Sequence, residues 1–301
     1  MDYQAELRGF LITRRARITP EEAGMTPFPG MRRVAGMRRE EVAYLAGISV
    51  DYYTRLERGR VAGISDEILD AVSRALRLDE VEHDHLVSLV RALRPAGPRA
   101  ARPKRPAAAG QEVLLQRVVD AIGVPAVVQD AHLDVVAANR LGWALYPHAE
   151  QYLARGEGKR FNHLRFQLLD PRAQDFYLDW ELAVRNGVAV LREAAGRDDR
   201  ADEELFALIG ELSAKSERFR TLWASHDVLR YRRGPKRYRH PLVGEVVFES
   251  QSFTVAGDPA LSLVVYTAAP GSPTADALQI LRTWTADHKG AQTPSAAPRP
   301  E

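Results

Sequence analysis

Residues 40–59, EEVAYLAGISVDYYTRLERG, set a glycine between two apolar helical patterns. At 3.6 residues per turn, Val42, Ala43 and Ala46 share one face of a helix ending near Gly47, and Tyr53 and Leu56 share a face of the next. Gly47 suits the left-handed conformation that ends a helix, which has no Cβ cost for glycine. Ser49 is placed to cap the second helix, and Asp51 puts a negative charge at the positive end of its dipole. Ala43 is small where a crossing helix must come close. An ordinary pair of antiparallel helices also uses glycine and serine. It does not need a small residue, a glycine and four apolar positions at these offsets together. The spacing predicts a DNA-binding helix-turn-helix.

Working outward, residues 1–94 read as an all-α unit. An amphipathic helix over 4–17 turns Leu7, Phe10 and Leu11 inward, and a long segment (TPEEAGMTPFPGMRRVAG, 19–36) rich in proline and glycine follows. Helices near 38–46, 49–58, 65–77 and 79–93 complete five, with Ser65 capping the fourth. Residues 95–110, PAGPRAARPKRPAAAG, have no apolar periodicity and read as a basic linker.

From 111 the signals mix. Leu115, Val118, Val119 and Ile122 stripe one helix, and PAVVQDAHLDVVAAN (125–139) reads as a hairpin running into a helix at Asn139. Longer helices are expected over 172–195 and 202–224. Strands are expected near 227–232, 236–240, 244–253 and 261–268, where Val, Tyr, Phe and Thr dominate. A last helix over 273–285 has Ser272 as cap and Pro273 at its first position. Residues 111–285 thus form an α+β domain, and 286–301 a disordered tail.

At 301 residues two domains are the natural expectation, and 45% hydrophobic content is ample for their cores. The absence of cysteine excludes disulfides and thiolate metal sites and suits a reducing cytosol; with no apolar leader or span, a soluble cytoplasmic protein is expected. The net charge of +2 says nothing for nucleic acid, but its distribution does. Residues 1–94 balance 15 basic against 15 acidic residues, the linker adds four basic ones, and the rest holds 23 basic and 25 acidic. Arg32, Arg33, Arg38 and Arg39 precede the motif, and Arg55, Arg58 and Arg60 lie in or just after its second helix.

RRVAGMRREEVAYLAGISVDYYTRLERGR (32–60) resembles the first domain of the MmyB-like transcription regulators, a branch of the Xre/Cro helix-turn-helix class with a lambda-repressor-like fold. DPRAQDFYLDWE (170–181), ELSAKSERFRTLWASHDV (211–228), KRYRHPLVGEV (236–246) and LVVYTAAPGSPTADAL (263–278) are similar to the ligand-binding domain of that family, which is PAS-like. The resemblance spans nearly the whole chain. Ala35 and Ile64 stand where the family usually has proline, both in connections.

Membership implies a DNA-binding regulator whose second domain takes a small hydrophobic, fatty-acid-like molecule. It also implies that the start of the second helix enters the major groove, with Val50, Asp51, Tyr52 and Arg55 as base-facing candidates. Arg38, Arg39, Ser49, Arg58 and Arg60 are the phosphate candidates. The arginines have a solvated basic face as their alternative reading. Tyr53 and Leu56 are read as core, and Glu57 as the partner of a nearby arginine.

For the second domain the apolar ligand candidates are Trp143, Phe166, Trp180, Trp223 and Val228, and the polar ones Asn139, Asn162, Arg165 and His226. The aromatics have a plain core reading beside this one, and Arg165 a surface ion pair with Asp170 or Asp175. No nucleophile motif accompanies His226–Asp227, the eight histidines lack ligand spacing, and no glycine-rich phosphate loop appears, so neither enzyme chemistry nor a metal or other cofactor is expected. Two functions remain: a ligand-responsive regulator binding double-stranded DNA as a homodimer, or a DNA-binding protein whose second domain only dimerises or docks another protein.

Overall fold

The computed structural model describes residues 3–28, 34, 36–94, 109–154, 160–196, 202–226 and 233–287. In chain order its elements are α1 (Tyr3–Arg17), α2 (Arg39–Leu45), α3 (Val50–Glu57), α4 (Asp66–Ala75), α5 (Glu80–Leu93) and α6 (Ala109–Asp120). Then come β1 (Ala126–Gln129), β2 (Val135–Ala138), α7 (Arg140–Leu145), α8 (His148–Ala154), α9 (His163–Leu169), α10 (Arg172–Phe176) and α11 (Trp180–Gly196). The chain continues through α12 (Glu203–Lys215), α13 (Glu217–Ala224), β3 (Arg233–His240), β4 (Gly244–Val255), β5 (Asp258–Thr267) and α14 (Pro273–Asp287). No helix among the described residues is long and apolar enough to cross a membrane.

Two compact units emerge, residues 1–100 with 192–230, and 101–191 with 231–301. In the first, Leu7, Phe10, Leu11, Val42, Tyr53 and Leu56 are fully buried in one core. Gly47 adopts φ +66°, and Ile48 N–H donates back to the Ala43 carbonyl at 3.0 Å, closing α2 as the sequence expects. Ser49 then caps α3 by accepting from Tyr52 N–H at 3.1 Å, and Ser65 caps α4.

The segment 192–226 packs with these N-terminal helices, although its sequence reads as part of the second domain. Arg192, fully buried, pairs with Glu6 of α1, and Arg14 donates to the His226 carbonyl at 2.7 Å. His226 lies directly on Gly9, where any Cβ would overlap its ring. Periodicity within α12 and α13 could not reveal this, because a buried stripe does not state what buries it.

The second unit is built on one antiparallel sheet in the order β2-β1-β5-β4-β3. Its inner face carries Tyr238, Val246, Phe248, Val264 and Tyr266 into an aromatic core with Tyr146, Phe161, Phe166 and Phe176. On the other face Leu115 and Val119 of α6, with Ile122 just after it, pack with Val128, Val136 and Leu261.

Two long expected helices are each broken. Over 172–195, Tyr177 leaves the helix to bridge Tyr238, and Leu178 N–H donates to the Arg237 carbonyl at 3.1 Å. An edge strand with unpaired backbone groups recruits the residues that periodicity gives to a helix. Over 202–224 the break is at Ser216, whose extended backbone ends α12 while its hydroxyl accepts from Phe219 N–H at 3.1 Å to cap α13. Helices α8 and α9 were not expected. The strand expected at 227–232, most of the linker and the end of the chain lie outside the described residues.

Candidate functional site

The helix-turn-helix presents Val50, Asp51, Arg55, Arg58 and Arg60 as exposed side chains on or just after α3, with Ser49 exposed at its cap. Tyr52 is half-buried and donates to the Gly63 carbonyl at 3.2 Å. Arg38 pairs with Glu40 at 3.2 Å. Arg39 is exposed yet bonded to Glu57, a buried carboxylate that also receives Arg15. Glu57 therefore finds its arginine partners, as its sequence context suggests, and they fasten α3 to α1 and α2.

The sheet unit holds a partly open cavity of about 100 Å³ between the inner face of the sheet and helices α9 and α11. Leu133, Leu182, Ala183, Val190 and Val264 form its apolar wall. Four tyrosines, Tyr146, Tyr177, Tyr238 and Tyr266, join His163 and Gln167 as its polar lining. The Tyr146 hydroxyl shares hydrogen bonds with those of Tyr266 at 2.7 Å and Tyr238 at 3.1 Å. Burial raises the phenol pKa values of Tyr146, Tyr177 and Tyr238, and neighbouring phenols add to it. Burial also lowers His163 to about 3, with the Lys236 charge contributing. The inner wall is thus uncharged near neutral pH. Lys236 and Arg237 bring positive charge to the lining, and Arg237 pairs with Asp179 at 3.3 Å.

None of the expected ligand residues that lie among the described residues lines this cavity. Asn139 caps α7 through Gly142 N–H at 2.7 Å, accepts from Ala126 N–H, and donates to the Ile122 and Val124 carbonyls. Asn162 caps α9 and donates to the His132 carbonyl and to Asp134. Asn139 thus makes four hydrogen bonds, which saturates its carboxamide, and Asn162 makes three. Phe166 is fully buried, stacked on His148, and Trp143 packs half-buried on the same core. Trp180 donates to the Gln167 carbonyl at 2.8 Å. The charge of Arg165 acts on half-buried Asp134, while Asp170 is held by Arg172. Trp223 and His226 belong to the helical unit, where Trp223 stacks on Phe219 and carries the Arg192 guanidinium 4.3 Å from its ring centre. Val228 lies outside the described residues.

The tyrosines carry a signal that reading by hydrophobicity passes over. Tyr238 and Tyr266 occupy inward positions of their strands, and a tyrosine there brings a hydroxyl that needs a partner inside. Tyr177 was hidden by the helix reading of 172–195. Elsewhere in this unit Asp130, His132 and Asp134 hold potential metal-ligand atoms within 4.8 Å of one another. One Asp130 oxygen there already accepts the backbone N–H groups of His132 and Asp134, which shapes the hairpin turn.

A helix-turn-helix unit and an α+β unit with an internal cavity define a DNA-binding protein that carries a ligand-binding domain. Residues 30–86 match the helix-turn-helix domain, and residues 113–281, more than half the chain, match the MmyB-like transcription regulator ligand binding domain. The chain belongs to the MmyB-like transcription regulators. A comparison with curated proteins found no match.

Proposed function

We propose that this regulator binds its operator as a homodimer in the cytoplasm and that a small ligand in the sheet-unit cavity sets its DNA affinity. The base-facing groups are Val50, Asp51, Tyr52 and Arg55, with Ser49, Arg58 and Arg60 on phosphates. Support for the sensing role rests on one observation, the partly open cavity between sheet and α11 in a domain of a ligand-binding family. The effector class is a small hydrophobic molecule with a polar head, of which a fatty-acid-like compound is the example the resemblance supplies. At about 100 Å³ the cavity is smaller than the roughly 150 Å³ that admits benzene. It receives the head and a few carbons, so a longer chain has to leave past Leu182.

A second reading, in which the sheet unit serves only association, draws on Val113, Leu114 and Val118 exposed along α6 and Phe253 exposed on β4. A titration of operator DNA with and without an acyl series separates the two. Sensing requires the melting temperature and the operator affinity to change with the same compound, because coupling between sites is reciprocal. Unchanged values for every compound, with a stable dimer, would leave association alone.

A further inference from the structure

Two opposite charges share the exposed face of α3. Asp51 and Arg55 are one turn apart, both are exposed, and neither side chain has a hydrogen bond or an ion pair with any described residue. The other acidic side chains of α2 and α3 are all engaged. Glu40 pairs with Arg38, Glu41 accepts the backbone N–H groups of Arg38 and Phe28, and Glu57 is held by Arg15 and Arg39. Ser49 supplies the cap of α3 through Tyr52 N–H, which leaves Asp51 only its interaction with the helix dipole. An aspartate and an arginine at this spacing attract one another. These two stay apart all the same, and both are open to a third group.

A carboxylate on a helix that enters the major groove is repelled by the phosphates on both sides, and only a base edge can compensate it. It accepts hydrogen bonds and never donates them. Guanine shows it two acceptors and thymine one, and adenine sets an acceptor beside its amino group. Cytosine alone offers an amino donor, on N4, without an acceptor next to it. The guanidinium of Arg55 has the opposite demand, donors only, and its fork matches the O6 and N7 acceptors of guanine. Four residues of helix rise about 6 Å, less than two base-pair steps at about 3.4 Å each. The two side chains therefore meet base pairs no more than two steps apart.

Resting on the DNA-binding reading above, we infer that Asp51 and Arg55 form a complementary pair of specificity-determining residues. Asp51 selects cytosine and Arg55 selects guanine, no more than two base-pair steps apart in each operator half-site. Asp51 works chiefly by exclusion, since its charge repels guanine O6 and N7 and thymine O4. Arg55 works by attraction. A half-site with the two bases interchanged sets the carboxylate against acceptors and the guanidinium against a donor, so it is rejected at both positions.

The full-length protein and its Asp51→Asn, Asp51→Ala and Arg55→Ala variants are each used to select duplexes from a library with randomised positions. The selected sites are then measured singly by fluorescence anisotropy at one salt concentration. All four proteins should melt alike, because both side chains are exposed. The wild type should enrich a cytosine and a guanine within two steps, and should lose at least about fivefold in affinity when the cytosine becomes thymine. Asp51→Asn should exchange that cytosine for adenine, whose N6 and N7 suit a carboxamide, and keep the guanine. Asp51→Ala should accept any base there and bind non-specific DNA at least as tightly as the wild type, having lost a charge that phosphates repel. Arg55→Ala should keep the cytosine and lose the guanine. An Asp51→Asn variant that still selects the wild-type base overturns the assignment. So does one that loses the guanine, because Asp51 would then act through Arg55. Either result leaves a sequence-specific regulator in place, whereas no enrichment by the wild type overturns the DNA-binding reading as well.

Discussion

Arg15 of α1 donates from Nε to the buried Oε1 of Glu57 at 3.1 Å, which ties the first helix of the chain to the last turn of α3. Arg39 holds the other oxygen from the start of α2. The carboxylate therefore orients α3 from two sides. Removing one partner of a buried pair leaves an uncompensated charge, at about 3–5 kcal/mol. Glu57→Ala should destabilise the protein by about 3 kcal/mol in urea denaturation. Arg39→Ala should cost under about 1 kcal/mol because its own side chain is half exposed. Equal costs for the two would show that Arg39 carries the fastening.

Arg55 stands exposed on α3 one turn after Asp51. Arg55→Ala is expected to weaken operator binding by about 1–3 kcal/mol and relax preference at one base pair. Arg58→Ala should instead weaken all DNA sequences alike and flatten the dependence on salt. Fluorescence anisotropy against an operator and its single-base variants, at several salt concentrations, distinguishes the two patterns.

Arg192 is fully buried in the helical unit and pairs with Glu6. Arg192→Ala is expected to cost about 3 kcal/mol. A fragment of residues 1–95 lacks this arginine and the His226 ring seated on Gly9, so it should fold as helices but unfold at lower urea than the intact unit. A fragment as stable as the full chain, followed by circular dichroism, would refute the dependence.

Burial lowers both His85 and His163 to about 3. An unfolded histidine takes up a proton near pH 6.5, whereas these two stay neutral in the native protein until far lower pH. Between those values the unfolded state binds more protons, so stability falls as pH falls. Each histidine should withdraw about 2 kcal/mol between pH 6.5 and pH 5. Urea midpoints at pH 7 and pH 5 test this, and His163→Gln should shrink the difference between them by roughly half of the histidine contribution.

Local chemistry determined the helix-turn-helix. Gly47, Ser49, Val42, Ala43, Tyr53 and Leu56 lie within fifteen residues, and their conformational and capping preferences act over single turns, so sequence reading finds them. The hairpin into Asn139 and the caps at Ser65 and Ser272 were legible for the same reason.

What tertiary structure decided was everything requiring a distant partner. Tyr177 left its helix because β3 offered a backbone edge some sixty residues away along the chain. The segment 192–226 joined α1 through Glu6, Arg14 and Gly9, none of which its own periodicity can name. Asn139 and Asn162, read as ligand groups by residue type, spend their hydrogen bonds on neighbouring backbone. The cavity fell to tyrosines, His163 and Gln167 instead. A side chain's character is written in the sequence, but whether its polar atoms are satisfied depends on which groups folding brings beside them.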